Sequence, residues 1–276
     1  MKALQLLGRI SAFVAAFVAL FIVLTGPFVI ILTEKNAALE TIADVTGALA
    51  VVLASWLCAR RLDHRRLDEI GFSLRALIPL IFGGILLGAA MSAGALVALG
   101  IEHGWLIGEG VRITNPLLAA ITVGGMAFNI VLQEGLVRGY AFDIARRTFG
   151  AGSAILVSTV LFVGMHSAIY LGGPDVPFIA ANLALAGLAL GLAVLWTGSI
   201  WFGVGAHYAW NMIESLAYGR SSGVALFAGF DGRWIHLAPS SVESSFAGLA
   251  GPALGLAALC AWRLLHGPRK LKAQRV

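Results

Sequence analysis

Residues 117–140 read "LLAAITVGGMAFNIVLQEGLVRGY", an almost wholly apolar run that then sets Gln133, Glu134 and Arg138 close together. About 20 mostly apolar residues suffice to cross a bilayer. An ionisable residue placed there costs several kcal/mol unless it is paired or solvated, so it marks function. Glu134 and Arg138 stand four apart with the acid N-terminal, the favoured order for a helical ion pair. Gln133 is the neutral neighbour of that acid.

The rest of the 276-residue chain repeats this pattern. Apolar residues make up 59% and charged residues 12%, with a mean hydropathy of +0.90. A soluble domain carries roughly 25% charged residues, so the composition implies an integral membrane protein. The 34 glycines suit close helix–helix contact in lipid. Eight apolar spans are expected, at Ile10–Leu32, Ile42–Ala59, Leu77–Leu99, Leu117–Val137, Ala151–Leu171, Phe178–Trp196, Ile200–Tyr218 and Phe246–Leu265. The fold class is an all-α, polytopic bundle forming a single membrane domain over residues 1–276. The first run is too long for a signal-peptide core and reads as a retained span. The polar loop at residues 60–75 is a candidate for a short interfacial helix, and the terminal "KLKAQRV" carries no lipidation signal.

With the N-terminus in the cytoplasm, fourteen of the nineteen Lys and Arg fall in cytoplasmic segments. Lys35, Arg112, Arg220 and Arg233 fall outside, and Arg138 lies in a span. The positive-inside rule therefore places both termini in the cytoplasm of a multi-pass protein of the cell membrane. The net charge of +5 resides in short loops, with no soluble domain to dock on nucleic acid. Cys58 and Cys260 make neither a disulfide framework nor a metal-spacing motif. In the segment from Arg220 to Ser245, Trp234 reads as an interfacial anchor.

The polar residues inside the spans are Asn129, Gln133, Glu134, Arg138, His166, Asn182, His207, Asn211 and Glu214. His207, Asn211 and Glu214 occupy one helical stripe, and Phe162 and His166 stand one turn apart. Singly, each fits a helix–helix hydrogen bond or a neutralised structural pair. Together, two histidines, an amide and a carboxylate on three helices fit peptide-bond hydrolysis. A carboxylate with a histidine can activate water, while a second histidine and an amide can stabilise an oxyanion. Alternatively, Glu134, His166 and His207 can hold a zinc ion with water in its fourth position. The residues leave both mechanisms open. HExxH, a serine box and paired intramembrane aspartates are absent.

Three ordered motifs, "QEGLVR" (133–138), "FVGMH" (162–166) and "HYAWN" (207–211), resemble the EExxxR, FxxxH and HxxxN motifs of the CAAX-protease and bacteriocin-processing (Abi) intramembrane proteases. That family includes the type II CAAX prenyl endopeptidase. The resemblance covers residues 115–215 as a catalytic core. It implies an eight-helix bundle with a cavity opening toward the cytoplasm, and a lipid-embedded endopeptidase acting on a membrane-associated peptide or protein. By the same resemblance, Glu134 and His166 activate water, and His207 and Asn211 stabilise the oxyanion. Gln133, Arg138 and Phe162 support the site. Gln133 departs from the family pattern, standing where the first glutamate is expected. Either Glu134 takes over its role, or the chain is a weak or non-catalytic relative acting in immunity or peptide binding.

Overall fold

The structure is a computed structural model and describes residues 2–32, 37–104, 107–218, 229–235 and 242–267. The terminal basic tail, Lys35 and Arg220 lie outside these residues, as does the side chain of Trp234. Nine helices follow in chain order among the described residues: α1 (Lys2–Ile31), α2 (Ala37–Leu62), α3 (Leu77–His103), α4 (Pro116–Arg138), α5 (Tyr140–Phe149), α6 (Ala151–Gly164), α7 (Val176–Thr197), α8 (Trp201–Tyr218) and α9 (Ala250–His266). Six helical stretches are long and apolar enough to cross a membrane, with α4 and α5 counted as one. This is a helical, multi-pass membrane protein.

Small residues decide how these helices meet. Gly84 and Gly88, four apart on α3, lie so close to α8 that a Cβ on either would overlap the carbonyl oxygen of Phe202 or Ala206. Gly205 of α8 returns the contact against the Ile81 carbonyl. Without a hydrophobic force between helices in lipid, such backbone proximity is what packing energy requires. The α3–α8 contact fixes the helix that carries His207. On the other flank, Gly47 and Gly135 let α2 and α4 interlock through Leu132 and Val51. The hydroxyls of Thr25 and Thr46 pair at 2.7 Å between α1 and α2.

The structure departs from the sequence reading at four places. The long helix breaks at Gly139, where a Cβ would meet the Phe72 ring at 2.8 Å. The chain then turns into α5, a short amphipathic helix whose Asp143 binds Arg65 at 2.6 Å and Arg147 at 2.8 Å. The expected span Ala151–Leu171 ends early. α6 stops at Gly164, His166 is extended, and a 3₁₀ turn at Ser167–Tyr170 leads into Gly172 and Gly173 at φ +73° and +116°. Those two left-handed glycines preclude helical continuation. A strand pair was also not anticipated in an all-α chain. β1 (Ile107–Ile113) pairs antiparallel with β2 (Phe230–Ile235), Arg112 opposite Asp231. In the 60–75 loop, the helical element is only a 3₁₀ turn at Leu67–Ile70.

The bundle thus has two unlike ends. One holds residues 60–75, α5 and the charge network of Arg9, Asp63, Arg65, Asp143 and Arg147. The other holds the β1–β2 pair, the start of α4 and the segment 242–249 before α9. There the amides of Thr114 and Asn115 donate to the Gly229 carbonyl.

Candidate active site

The site begins with the ion pair of α4. Arg138 Nη1 donates to Glu134 Oε1 at 2.7 Å, and both side chains are 0% exposed. A buried charge pair is held best when its remaining polar atoms are also engaged. Here, among the described residues, Glu134 Oε2 and Arg138 Nε have no hydrogen-bond partner, while the other guanidinium nitrogen does. Arg138 Nη2 donates to the Gly187 carbonyl of α7 at 3.3 Å, and its guanidinium lies 4.6 Å from the centre of the Phe162 ring on α6. A cation over an aromatic face adds electrostatic attraction, more so when desolvated. Glu134 Oε1 is also 3.0 Å from His207 Nδ1 on α8. One pair therefore ties together α4, α6, α7 and α8. Gly203 makes room for it, since a Cβ there would lie 2.9 Å from Glu134 Oε2.

The histidine tautomers follow from their partners. His166 Nδ1 lies 2.7 Å from the Phe162 carbonyl. A carbonyl oxygen can only accept, so Nδ1 carries the proton and Nε2 keeps its lone pair. His207 Nδ1 faces a carboxylate oxygen, and in the neutral ring the same assignment leaves Nε2 free to accept. Phe162 stands edge-on to both rings, with centroids 4.7 Å and 5.4 Å away.

His166, His207 and Asn211 line a small pocket of about 30 Å³ together with Phe162, Asn182 and Glu243. Asn182, which the sequence marked as polar without assigning it a role, is 1% exposed, and its Nδ2 has no hydrogen-bond partner. Glu243 was not anticipated. It belongs to a polar segment with no apolar period to make one acid stand out. Burial pushes its carboxyl up to about 7, against a hydrogen bond from Trp210.

Gln133 does not join this group. Its Nε2 donates to Asn129 Oδ1 at 2.5 Å, and Asn129 Nδ2 donates to Asp44 of α2 at 2.7 Å. Adjacent helix positions point about 100° apart, so Glu134 faces the histidines while Gln133 faces α2. Of the zinc set, Glu134 Oε1 serves both Arg138 and His207, while Oε2 has no hydrogen-bond partner. Among the described residues no three His, Cys, Asp or Glu side chains are grouped as a metal site requires.

The pocket's lining runs from His207 toward Asn211 and Glu243, away from the basic end. On the basic side, Arg138 instead lines a separate cavity with Arg65, Arg75, Asp143 and Arg146.

Residues 113–213 match the model of the family described as "Type II CAAX prenyl endopeptidase Rce1-like". An L-arabinose ABC transporter permease protein, AraH, of Azospirillum brasilense is 27% identical over 170 residues, covering 61% of this chain. The chain spans 45% of the length of that curated relative. No solved structure matches. The ion pair, both pocket histidines and both pocket asparagines all fall inside the matched segment, and over residues 113–213 this chain is similar to the CAAX-protease and bacteriocin-processing family of intramembrane proteases that its three motifs resemble.

Proposed function

We propose that this chain is an endopeptidase embedded in the membrane, hydrolysing a peptide bond of a membrane-associated peptide or protein. The observation that carries the reading is the convergence of His207, held from behind by Glu134, with His166 and Asn211 on one small pocket. Glu134 holds His207 by its Nδ1 proton, as the buried acid holds histidine in a serine-protease triad. That leaves the Nε2 atoms of His207 and His166 as bases for water. The water oxygen bonds to the scissile carbonyl carbon and its proton passes to a histidine Nε2. The same proton then goes to the departing amine nitrogen as the C–N bond breaks, leaving a carboxylic acid and an amine; the acid's remaining proton then passes to the amine, giving a carboxylate and an ammonium group. The amides of Asn211 and Asn182 donate to the oxyanion between these steps. This division moves His207 from the oxyanion role implied by the resemblance to water activation. No metal enters the proposal, because among the described residues no three His, Cys, Asp or Glu side chains are grouped to hold one.

The test is a comparison of membrane peptides from cells carrying the chain and cells carrying His166→Ala. Peptides cut only in the first support the reading. Identical sets, with the variant present at normal level in the membrane, refute it.

A second reading is a non-catalytic member that binds a peptide or confers immunity. It is favoured by Gln133, which stands where the family has its first glutamate. Protection that survives His166→Ala separates it from catalysis. Transport, the activity in the name of the Azospirillum relative, draws support only from the cavities on either side of the Glu134–Arg138 pair. The fully buried pair offers no path between them.

A further inference from the structure

We propose that the cavity at the basic end of the bundle, beside Arg75, seats the phosphodiester headgroup of an anionic phospholipid of the cytoplasmic leaflet. The cavity lies apart from the histidine pocket, and its occupant does not depend on the peptidase reading.

The cavity measures about 460 Å³ and lies between the 60–75 segment, α5 and the turn joining α7 to α8. The Ile200 amide donates to the Gly71 carbonyl at 3.0 Å, which ties the 60–75 segment to that turn. The space therefore belongs to the packed bundle and not to a free loop. A second, more open cavity of about 640 Å³ shares Asp68, Ser73 and Arg75 with it and extends the space to Leu74.

Charge sets the sign of the guest. Each acid lining the cavity is already answered by an arginine. Asp68 accepts from Arg66 at 3.0 and 2.9 Å, and Glu69 lies 3.6 Å from Arg65. Asp143 is shared by Arg65, Arg146 and Arg147 at 2.6, 3.1 and 2.8 Å. Arg138 lines the cavity as well, but Glu134 neutralises it. Five arginines, Arg65, Arg66, Arg75, Arg146 and Arg147, thus stand against three carboxylates. Asp63 also meets Arg147, but has Arg9 as its own partner. Arg75 is the cation in surplus. Its backbone amide donates to Ser73 Oγ at 3.3 Å, while its guanidinium has no partner among the described residues. Arg146 gives only Nη2 to Asp143, so its other N–H groups are open to a guest. The planar fork of an arginine matches two phosphate oxygens at once.

The apolar flank makes that guest a lipid and not a free solute. Leu74, in the turn before α3, is 70% exposed. Ile78, Phe82 and Leu86 follow at four-residue steps and are 79%, 61% and 57% exposed, one apolar stripe of α3 that starts three residues after Arg75. From Ile78 to Leu86 the helix rises about 12 Å into the hydrocarbon layer. An acyl chain can lie along the stripe while its phosphate stays at Arg75. The positive-inside rule assigns this end to the cytoplasm, where anionic lipids give the leaflet a negative surface potential and basic pockets between spans bind their headgroups.

The experiment is a lipid titration of the full chain in neutral detergent, read by melting temperature. The probes are a short-chain phosphatidylglycerol, the phosphatidylcholine with the same chains, and inorganic phosphate. Phosphatidylglycerol should raise the melting temperature saturably, and the other two should not. Arg75→Gln, which breaks no side-chain contact of the fold, should weaken phosphatidylglycerol binding about fivefold, the loss expected for one arginine near an anionic lipid surface. Arg60→Gln, exposed at the same end but outside the cavity, should leave it unchanged. Equal weakening by Arg60→Gln and Arg75→Gln would mean diffuse surface attraction and overturn the site. Unchanged binding in Arg75→Gln, or no saturable response to phosphatidylglycerol, would overturn it too. Equal protection by phosphatidylcholine would remove the charge argument, and equal protection by inorganic phosphate would make the guest a free anion; either result overturns the proposal. No readout involves cleavage, so this site and the peptidase reading can fail independently.

Discussion

Glu134 is the residue most open to misreading in a mutagenesis experiment, because it is both the proposed orienter of His207 and the counter-ion of Arg138. Glu134→Gln keeps the shape and removes the charge. Arg138, 0% exposed and 2.7 Å from the lost carboxylate, becomes a buried cation without an anion. Breaking such a pair costs about 3–5 kcal/mol. The lower end applies, because the glutamine oxygen still accepts one N–H and the Phe162 ring still faces the guanidinium at 4.6 Å. Against a total stability of roughly 5–15 kcal/mol, that loss lowers the amount of folded protein in the membrane and so imitates loss of catalysis. The double variant Glu134→Gln/Arg138→Met removes both charges and should recover to within about 1 kcal/mol of the parent. Equilibrium unfolding in detergent, run as a double-mutant cycle, should show strong coupling, the double variant losing far less than the sum of the two single variants. The refolded double variant is then the proper sample for the peptide comparison, where cleavage should remain absent. Single variants that each lose under about 1 kcal/mol and add linearly would refute the reasoning. A double variant that cleaves normally would remove Glu134 from the chemistry.

Gly88→Leu should separate α3 from α8 and with it His207 from Glu134, costing upwards of about 1–3 kcal/mol, as read by melting temperature in detergent. Asn182→Leu removes a buried donor with no partner, so stability should hold or rise while cleavage of an identified peptide falls about 10²-fold, the usual loss of an oxyanion donor. Glu243, held neutral by burial to about 7 against the usual 4.5, should destabilise the fold as pH rises from 4.5 through about 7. The unfolded chain binds fewer protons than the folded one across that window. A thermal-melt series from pH 5 to 8 should show the decline in the parent and a flatter profile in Glu243→Gln. Gln133→Glu should not raise cleavage, because the new carboxylate joins Asp44 and Asn129 on α2's side; it should instead lower stability, as measured by the same melts.

The helical architecture was legible because lipid demands long apolar runs, and those runs survive any detail of packing. The i, i+4 pairing of Glu134 with Arg138 was legible for the same local reason. What the sequence hid was decided by contacts between distant segments. The break at Gly139 depends on the Phe72 ring lying over it, and nothing near Gly139 announces that ring. α6 reads as a full span because Ala168, Ile169 and Leu171 are apolar, yet the backbone turns at His166. Asn182 stood out as polar within a span, but only the fold reveals that its amide is unpaired beside the histidines. The pocket's direction needed both bundle ends in view at once, which no linear pattern supplies. Gln133 was half legible: the 100° step said that it and Glu134 could not face the same way, and Asp44 decides which way each turns.

That last point changes what the family comparison means for this chain. If Gln133 had faced the histidines, its amide would have stood where a base is needed, and the substitution alone would argue for an inactive protein. It instead donates toward Asp44, where a carboxylate would stand near a second acid, so glutamine is the residue this surrounding favours. The carboxylate required to hold a histidine comes from Glu134, and Arg138 keeps it charged in a site with no exposed surface. The same arginine binds the Gly187 carbonyl and packs on Phe162, so it also fixes α6 and α7 around the pocket. Chemistry and helix packing thus share a single charged pair. For that reason the discriminating experiments are ones that separate folding from turnover.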